Sequence, residues 1–349
     1  MKISVHPYFL EFIRPFALAH GSRSGTQLAY VKIEFEGHTA FGEASLPPYL
    51  KETFDSVQKW VLSQSKNVLA LLSENPFENP EKIPFSPENP AASAALEAAI
   101  LNCYLQSKGR KLSDYFEQKD AIPHLSLTIT KNDTAFLNEK LRLEKNFSHF
   151  KLKLTGSHDD IDFVKMMRGK TKLPFCIDIN QGFQEKEAAI KVISILEKLN
   201  CILIEQALNK TDHEGHYWLK QRTSLPIIAD ESIGLYEDLL QYHEAYSGVN
   251  IKLMKCGGLF QAQKMIHFNP SGEEKFITFI GCMSESTLGV STAAVLASQC
   301  DMADLDAPYL NVNDPFEGFN ILNKKIVVDN NIKLKNEALF ATSKFNEIL

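Results

Sequence analysis

The chain has 349 residues, 44% hydrophobic and 23% charged, with a formal net charge of −6. Such a composition suits a globular protein with one large core or two ordinary ones, and the acidic balance, with Lys and Arg dispersed, excludes the concentrated basic face that nucleic acid or an anionic membrane requires. Six cysteines (Cys103, Cys176, Cys201, Cys256, Cys282, Cys300) form neither a CxxC pair nor a zinc-spaced Cys/His cluster, so reduced structural thiols and a cytoplasmic location are expected.

At the start, MKISVHPYFLEF lacks the apolar core of a signal peptide, and no run in the chain approaches the roughly 18 apolar residues of a membrane span. KISVHPYFLEF, QLAYVKIEFEG and HTAFGEA predict an antiparallel meander, with PFALAHGSRSGT as a Gly/Ser-rich loop between the first two. Apolar spacing then predicts helices over residues 52–74 and 91–108.

From about Ile122 the rhythm changes. HLSLTIT, HFKLKLT, PFCIDIN, CILIEQ, PIIADE, GVNIKLM, FITFIG and ADLDA read as eight short strands, alternating with helical stretches such as EKEAAIKVISILEKL. That alternation predicts a closed parallel barrel, with an open doubly wound sheet as the competitor; no GxGxxG or P-loop motif follows the early strands to favour the latter. After about Pro315, KKIVVDN and NIKLKN are expected to pack back on the N-terminal region.

A barrel gathers its active site at the C-terminal ends of its strands. Asp178 ends FCID, Glu205 ends CILIE and Asp230 ends PIIAD, on three consecutive strands. One such acid would more simply cap a helix or pair with a lysine, but three in register favour a hard divalent cation, and all-oxygen ligation suits one Mg²⁺ per subunit.

Lys151 and Lys153 alternate in FKLKL, so both are expected to point into the barrel while Phe150, Leu152 and Leu154 face the helices. Two adjacent ammonium groups repel, which should depress their pKa from roughly 10.4 and favour a neutral amine able to act as a base. Lys252 in NIKLM is expected across the ring. It is preferred to Lys255, which should face away or lie in the following loop. Lysines on both faces of a metal-bound carboxylate can take a proton from the adjacent carbon and return one from the other side, a geometry suited to racemisation or epimerisation.

Lys151-x-Lys153, DIN at Asp178, IEQ with Glu205, ADES with Asp230 and Glu231, and NIKLMKCGG with Lys252 resemble the muconate-lactonising subgroup of the enolase superfamily, especially its dipeptide epimerases, over nearly the whole chain. The resemblance implies a modified TIM barrel, (β/α)7β, over residues 119–315. An α+β capping domain is implied for residues 1–118, completed by the tail at 316–349. Lys153 and Lys252 become the acid/base pair, Lys151 their assistant, and Asn180 and Glu231 neighbours of the metal ligands. A homo-oligomer is expected.

Asp304 and Asp306 in ADLDAPYL alternate onto one face of the last strand, where two anions suit a substrate ammonium; capping a loop is the plainer reading. Dipeptide epimerases resemble this in an acidic DxD that holds the dipeptide's α-amino group, which implies inversion of the Cα of the C-terminal residue in an Ala-Xaa dipeptide. The loop at PFALAHGSRSGT is expected over the site. There, the arginine that Ala-Glu epimerases use falls near His20 or Gly21, which turns the expectation toward a small or apolar Xaa, while Arg23 keeps an acidic one open. Thr128 and Ser284 are candidates for hydrogen bonds to substrate, although such residues more often satisfy loop amides.

o-Succinylbenzoate synthases, N-acylamino-acid racemases and cycloisomerases share the metal and lysine set and stay open as alternatives. So does a non-catalytic binder of a metal or small acid, which would not need bases on both faces of a carbon.

Overall fold

Strands β1 (Lys2–Leu18), β2 (Gly21–Phe35) and β3 (His38–Leu46) form an antiparallel sheet in that order. The computed structural model describes residues 1–18, 21–270 and 275–340. The loop expected between the first two strands is largely strand: Phe16, Ala17 and Leu18 pair with Arg23, Ser22 and Gly21, beyond a register shift between Glu11 and Phe16. Pro15 lies inside that shift. Having no N–H for the ladder, it interrupts pairing, which resumes after it. His20 lies outside the described residues.

Helices α1 (Phe54–Ser63), α2 (Ser65–Ser73) and α3 (Pro90–Ser107) follow, so the single helix expected over residues 52–74 is divided at Gln64. The Ala-rich α3 is buried along most of its length and packs on β3. At Gly42 of β3 an added Cβ would meet the Ala95 carbonyl oxygen at 1.9 Å, so this approach requires glycine.

The chain then alternates: β4 (His124–Ile129), α4 (Leu137–Leu141), β5 (His149–Lys153), α5 (Asp160–Arg168), β6 (Phe175–Asp178), α6 (Lys186–Leu196), β7 (Cys201–Glu205) and α7 (His213–Lys220). It continues with β8 (Ile227–Ala229), α8 (Tyr236–Tyr242), β9 (Gly248–Lys252), α9 (Leu253–Cys256), α10 (Leu259–Ile266), β10 (Ile277–Gly281), α11 (Thr287–Ala294) and β11 (Met302–Asp304). The eight strands close a parallel barrel in the order β10-β11-β4-β5-β6-β7-β8-β9. This is the expected (β/α)7β plan.

Two layers fill the barrel's interior. Cys176, Leu203, Ile228, Phe279 and Met302 form an apolar cluster, and charged side chains at the C-terminal strand ends stand above it. Phe150, Leu152 and Leu154 face the helices and are buried, as the alternation in FKLKL predicts. Finally, β12 (Phe316–Leu322) and β13 (Lys325–Leu334) pair as a hairpin. Phe316 and Phe340 meet Tyr30 of β2 edge-on, with centroids 5.4 and 5.3 Å away, so the tail packs on the N-terminal sheet. All six cysteines are free, five of them buried. Among the described residues no helix is long and apolar enough to cross a membrane.

Candidate active site

Strand register brings the charged residues to one level. Lys153 is paired with Asp178, and Asp178 with Glu205, across β5, β6 and β7; on the other side Gly281 is paired with both Lys252 and Asp304. Asp230 comes immediately after β8. One ligand atom from each of Asp178, Glu205 and Asp230 can be chosen so that all lie within 4.8 Å of one another, and all three residues are buried.

Lysines surround these acids. Lys153 Nζ donates to Asp178 Oδ2 at 2.5 Å, and Lys252 Nζ donates to Asp230 Oδ2 at 2.7 Å. Lys151 Nζ donates to Glu205 Oε1 at 2.9 Å and Asp304 Oδ2 at 2.7 Å, and lies 3.2 Å from Asp178 Oδ2. Lys255, expected to face away or to lie in the following loop, lies past the strand end and turns back to the acids. From the short α9 its ammonium donates to Asp230 Oδ1 at 2.7 Å, to the Asp230 carbonyl, and to the carbonyls of Ile233 (3.1 Å) and Asn250 (3.0 Å).

The four lysines therefore divide by their number of acceptors. Lys151 and Lys255 are saturated, whereas Lys153 and Lys252 each hold one carboxylate oxygen. An ammonium with three or more acceptors is fixed in place; one with a single acceptor can turn toward a substrate. In the ring, β5 and β9 are four strands apart out of eight, so Lys153 and Lys252 face each other across the mouth.

The expected depression of the lysine pKa values is not found. Burial does pull Lys153 and Lys252 down, but Asp178 acting on the first and Asp230 on the second outweigh it, and both ammonium groups end above their ordinary value. Opposite charges nearby dominate the repulsion between Lys151 and Lys153. Among the three acids, Asp178 and Asp230 are held, against burial, below their ordinary value by the lysines, whereas burial, reinforced by the charge of Asp178, pushes Glu205 up to about 8.

That makes Glu205 the acid most in need of positive charge. Its Oε2 lies 2.8 Å from Lys151 Nζ without hydrogen-bond geometry, and Glu231 Oε2 and Asn180 Oδ1 are also buried without a donor. Three converging carboxylates with donor-poor oxygens around them fit a hard divalent cation. Asn180 N donates to Asp178 Oδ1 at 3.0 Å and Asn180 Nδ2 to Glu231 Oε1 at 3.4 Å, so both residues border the acids.

Asp304 and Asp306 come together against β4. Ser126 Oγ donates to Asp304 Oδ1 at 2.7 Å, while Thr128 donates its N–H (2.5 Å) and hydroxyl (3.3 Å) to Asp306. Burial raises Asp304, but Lys151 and Lys153 outweigh it and hold the carboxyl at about 2; burial and the charge of Asp304 push Asp306 up to about 6. Thr128 thus spends its hydroxyl on Asp306. Ser284, partly exposed beyond β10, accepts a hydrogen bond at its carbonyl from Ser45 Oγ at 2.8 Å.

Arg23 leans from β2 toward this mouth, its Cζ 5.8 Å from the Phe12 ring and 5.5 Å from the Tyr49 ring. Its Nε and Nη1 are buried and have no hydrogen-bond partner among the described residues. Tyr49, half-exposed, lies within electrostatic reach of Lys252, Arg23, Asp230 and Glu231, which marks it as a site residue. Its place after the two prolines of LPPYL carries no periodic signal, and the sequence reading passes over it.

Residues 135–332 match the family model described as enolase C-terminal domain-like, more than half of the chain. The chain belongs to this family, and so to the enolase superfamily. It is 32% identical over 335 residues to the L-Ala-D/L-Glu epimerase of Bacteroides thetaiotaomicron, covering 94% of this chain and 86% of that one. It is 30% identical over 332 residues to the L-Ala-D/L-amino acid epimerase of Flavobacterium johnsoniae, covering 92% and 95%. Among solved structures, a dipeptide epimerase from Enterococcus faecalis complexed with Mg and the dipeptide L-Leu-L-Tyr superposes with a TM-score of 0.79 at 25% identity, covering 94% of this chain and 96% of that one.

Proposed function

We propose that this enzyme is a Mg²⁺-dependent dipeptide epimerase, an isomerase that inverts the Cα of the C-terminal residue of Ala-Xaa dipeptides. The observation that carries this reading is the pairing of two singly held lysines, Lys153 and Lys252, across a cluster of three buried acids. Asp178, Glu205 and Asp230 would hold the cation, which supplies the positive charge that makes a carbon acid beside a carboxylate ionisable. With the negative charge of Asp178 and Asp230 turned to the cation, the carboxylates that hold Lys153 and Lys252 protonated would release them, and the two lysines would take and return the proton from opposite faces of that carbon. Lys151, saturated and fully buried, acts as their assistant by holding Glu205 and Asp304 in place.

Asp304, with Asp306 behind it, receives the dipeptide's ammonium; synthases and cycloisomerases, whose substrates lack that group, would leave it without a task. Thr128 serves substrate through Asp306, and Ser284 offers a polar group at the rim. We take residues 1–118 with 316–349 as the cap and 119–315 as the catalytic barrel; within these bounds 19–20, 271–274 and 341–349 lie outside the described residues. The enzyme works in the cytoplasm as a homo-oligomer.

For Xaa, the sequence leans toward a small or apolar residue, but the unpartnered nitrogens of Arg23 favour an anionic side chain, and we adopt that reading. The test is a screen of Ala-Xaa pools in D₂O by mass spectrometry, with Mg²⁺ and after EDTA. Incorporation of one deuterium is expected, strongest for acidic Xaa and only with the metal. Exchange in no dipeptide, or exchange surviving EDTA, overturns the assignment; exchange confined to apolar Xaa overturns only the role of Arg23.

A further inference from the structure

Gln206 directly follows Glu205, and its backbone is held in the left-handed region at φ 41°. Asn180 (φ 45°) and Gln181 (φ 65°), just past Asp178, share this conformation, which side chains other than glycine adopt at a cost. A fully buried glutamine in that position needs a reason.

The hydrogen bonds supply one. Gln206 Oε1 accepts from the backbone N–H of Asp230 at 3.0 Å and of Ser232 at 3.1 Å, while Nε2 donates to Ser232 Oγ at 2.7 Å and the Leu208 carbonyl at 3.2 Å. Its main chain binds both neighbouring strand ends: its N–H donates to the Ile228 carbonyl at 3.0 Å, and its carbonyl accepts from Gln181 N at 2.8 Å.

β8 is only three residues long, and its ladder with β7 ends at the Glu205–Ile228 pair. The next rung of a parallel sheet would run from Asp230 N to the Gln206 carbonyl, but that carbonyl is taken by Gln181. The side-chain oxygen of Gln206 accepts the Asp230 N–H instead.

We propose that Gln206 is a positioning residue of the divalent-cation site, its side-chain amide replacing the missing rung between β7 and β8 and so fixing Asp230 relative to Glu205 and Asp178. Through its main chain it also joins the β6 end, so one residue ties together the three strand ends that carry the acids. The inference rests on the reading of those acids as a cation site.

The test is Mn²⁺ binding to the full chain without substrate, followed by electron paramagnetic resonance, in Gln206→Met and Gln206→Glu. Gln206→Met keeps the volume and loses the amide, and is expected to weaken Mn²⁺ binding by about tenfold or more, as loss of an outer partner of a ligand does. Gln206→Glu keeps an oxygen for the two N–H groups and is expected to stay within about threefold of the wild type. Gln206→Met binding as tightly as the wild type, or both variants weakened equally, overturns the proposal. Should Gln206→Met fail to fold, Gln206→Gly, which relieves the backbone strain, takes its place under the same criterion. A wild type that binds no Mn²⁺ overturns the cation reading itself.

Discussion

Lys252 and Lys255 share Asp230, each ammonium 2.7 Å from a different oxygen of the carboxylate, yet their surroundings give them opposite tasks. The three N–H bonds of Lys255 are directed at Asp230 and at the Ile233 and Asn250 carbonyls, which leaves it no freedom to exchange a proton with a substrate. Lys252 has one acceptor. Lys252→Ala is expected to cost about 10²–10⁴-fold or more in epimerisation with little change in melting temperature. Lys255→Met leaves Asp230 Oδ1 and the buried carbonyls of Asp230, Ile233 and Asn250 without their donor and is expected to lower stability by roughly 3–5 kcal/mol, whereas Lys252 serves one oxygen only. Steady-state kinetics and thermal melts on the two variants separate the roles; equal loss of stability in both would contradict the division.

Asp304 sits between Lys151 and Ser126 with part of its side chain open to the mouth, so its negative charge remains available to a cation. Wild-type enzyme is expected to prefer a dipeptide with a free amino group over its N-acetylated counterpart by about 10–100-fold in kcat/KM, the magnitude of one charged hydrogen bond. In Asp304→Asn that preference should disappear. Because Asp304 also steadies Lys151, the ratio between the two substrates is the informative quantity, not the absolute rate; an unchanged ratio would remove Asp304 from ammonium recognition.

Glu97 predicts a pH effect on stability. On α3 of the cap, it accepts hydrogen bonds from Leu259 N and Phe260 N (3.3 Å) at the start of α10, and burial pushes its carboxyl from 4.5 up to about 8. Below pH 4.5 the group is protonated in folded and unfolded chains alike and contributes no pH dependence. Between about 4.5 and 8 the unfolded chain ionises first, so stability falls as pH rises. Melting temperatures across this window should decline in the wild type and decline less in Glu97→Gln. An identical slope in the variant would show that Glu97 does not contribute.

Much of this was legible in the sequence because the chemistry sits where periodicity is strict. Asp178, Glu205, Lys153 and Lys252 end regular strands, so alternation alone aims them inward. Lys255 escaped that rule because the strand stops at Lys252 and a one-turn helix begins, turning an expected outward residue back onto Asp230. Gln206 escaped because its left-handed backbone aims a side chain where strand alternation would not. At Phe16–Leu18 composition signals a loop, while the pairing that makes the arm a strand comes from β2. The direction of the lysine pKa shifts is not legible in a strand, which shows only its own charges; the carboxylates that raise them arrive from β6 and from the end of β8.

In the proposed epimerisation Lys153 and Lys252 serve opposite faces of one carbon. Epimer-resolved deuterium exchange, run with Mg²⁺ on each configuration of the preferred dipeptide, tests it most directly. Lys153→Ala should exchange the Cα hydrogen of one configuration only, Lys252→Ala that of the other only, and neither should interconvert the two. Either variant exchanging both configurations at wild-type rates, or still epimerising, would contradict the two-lysine account.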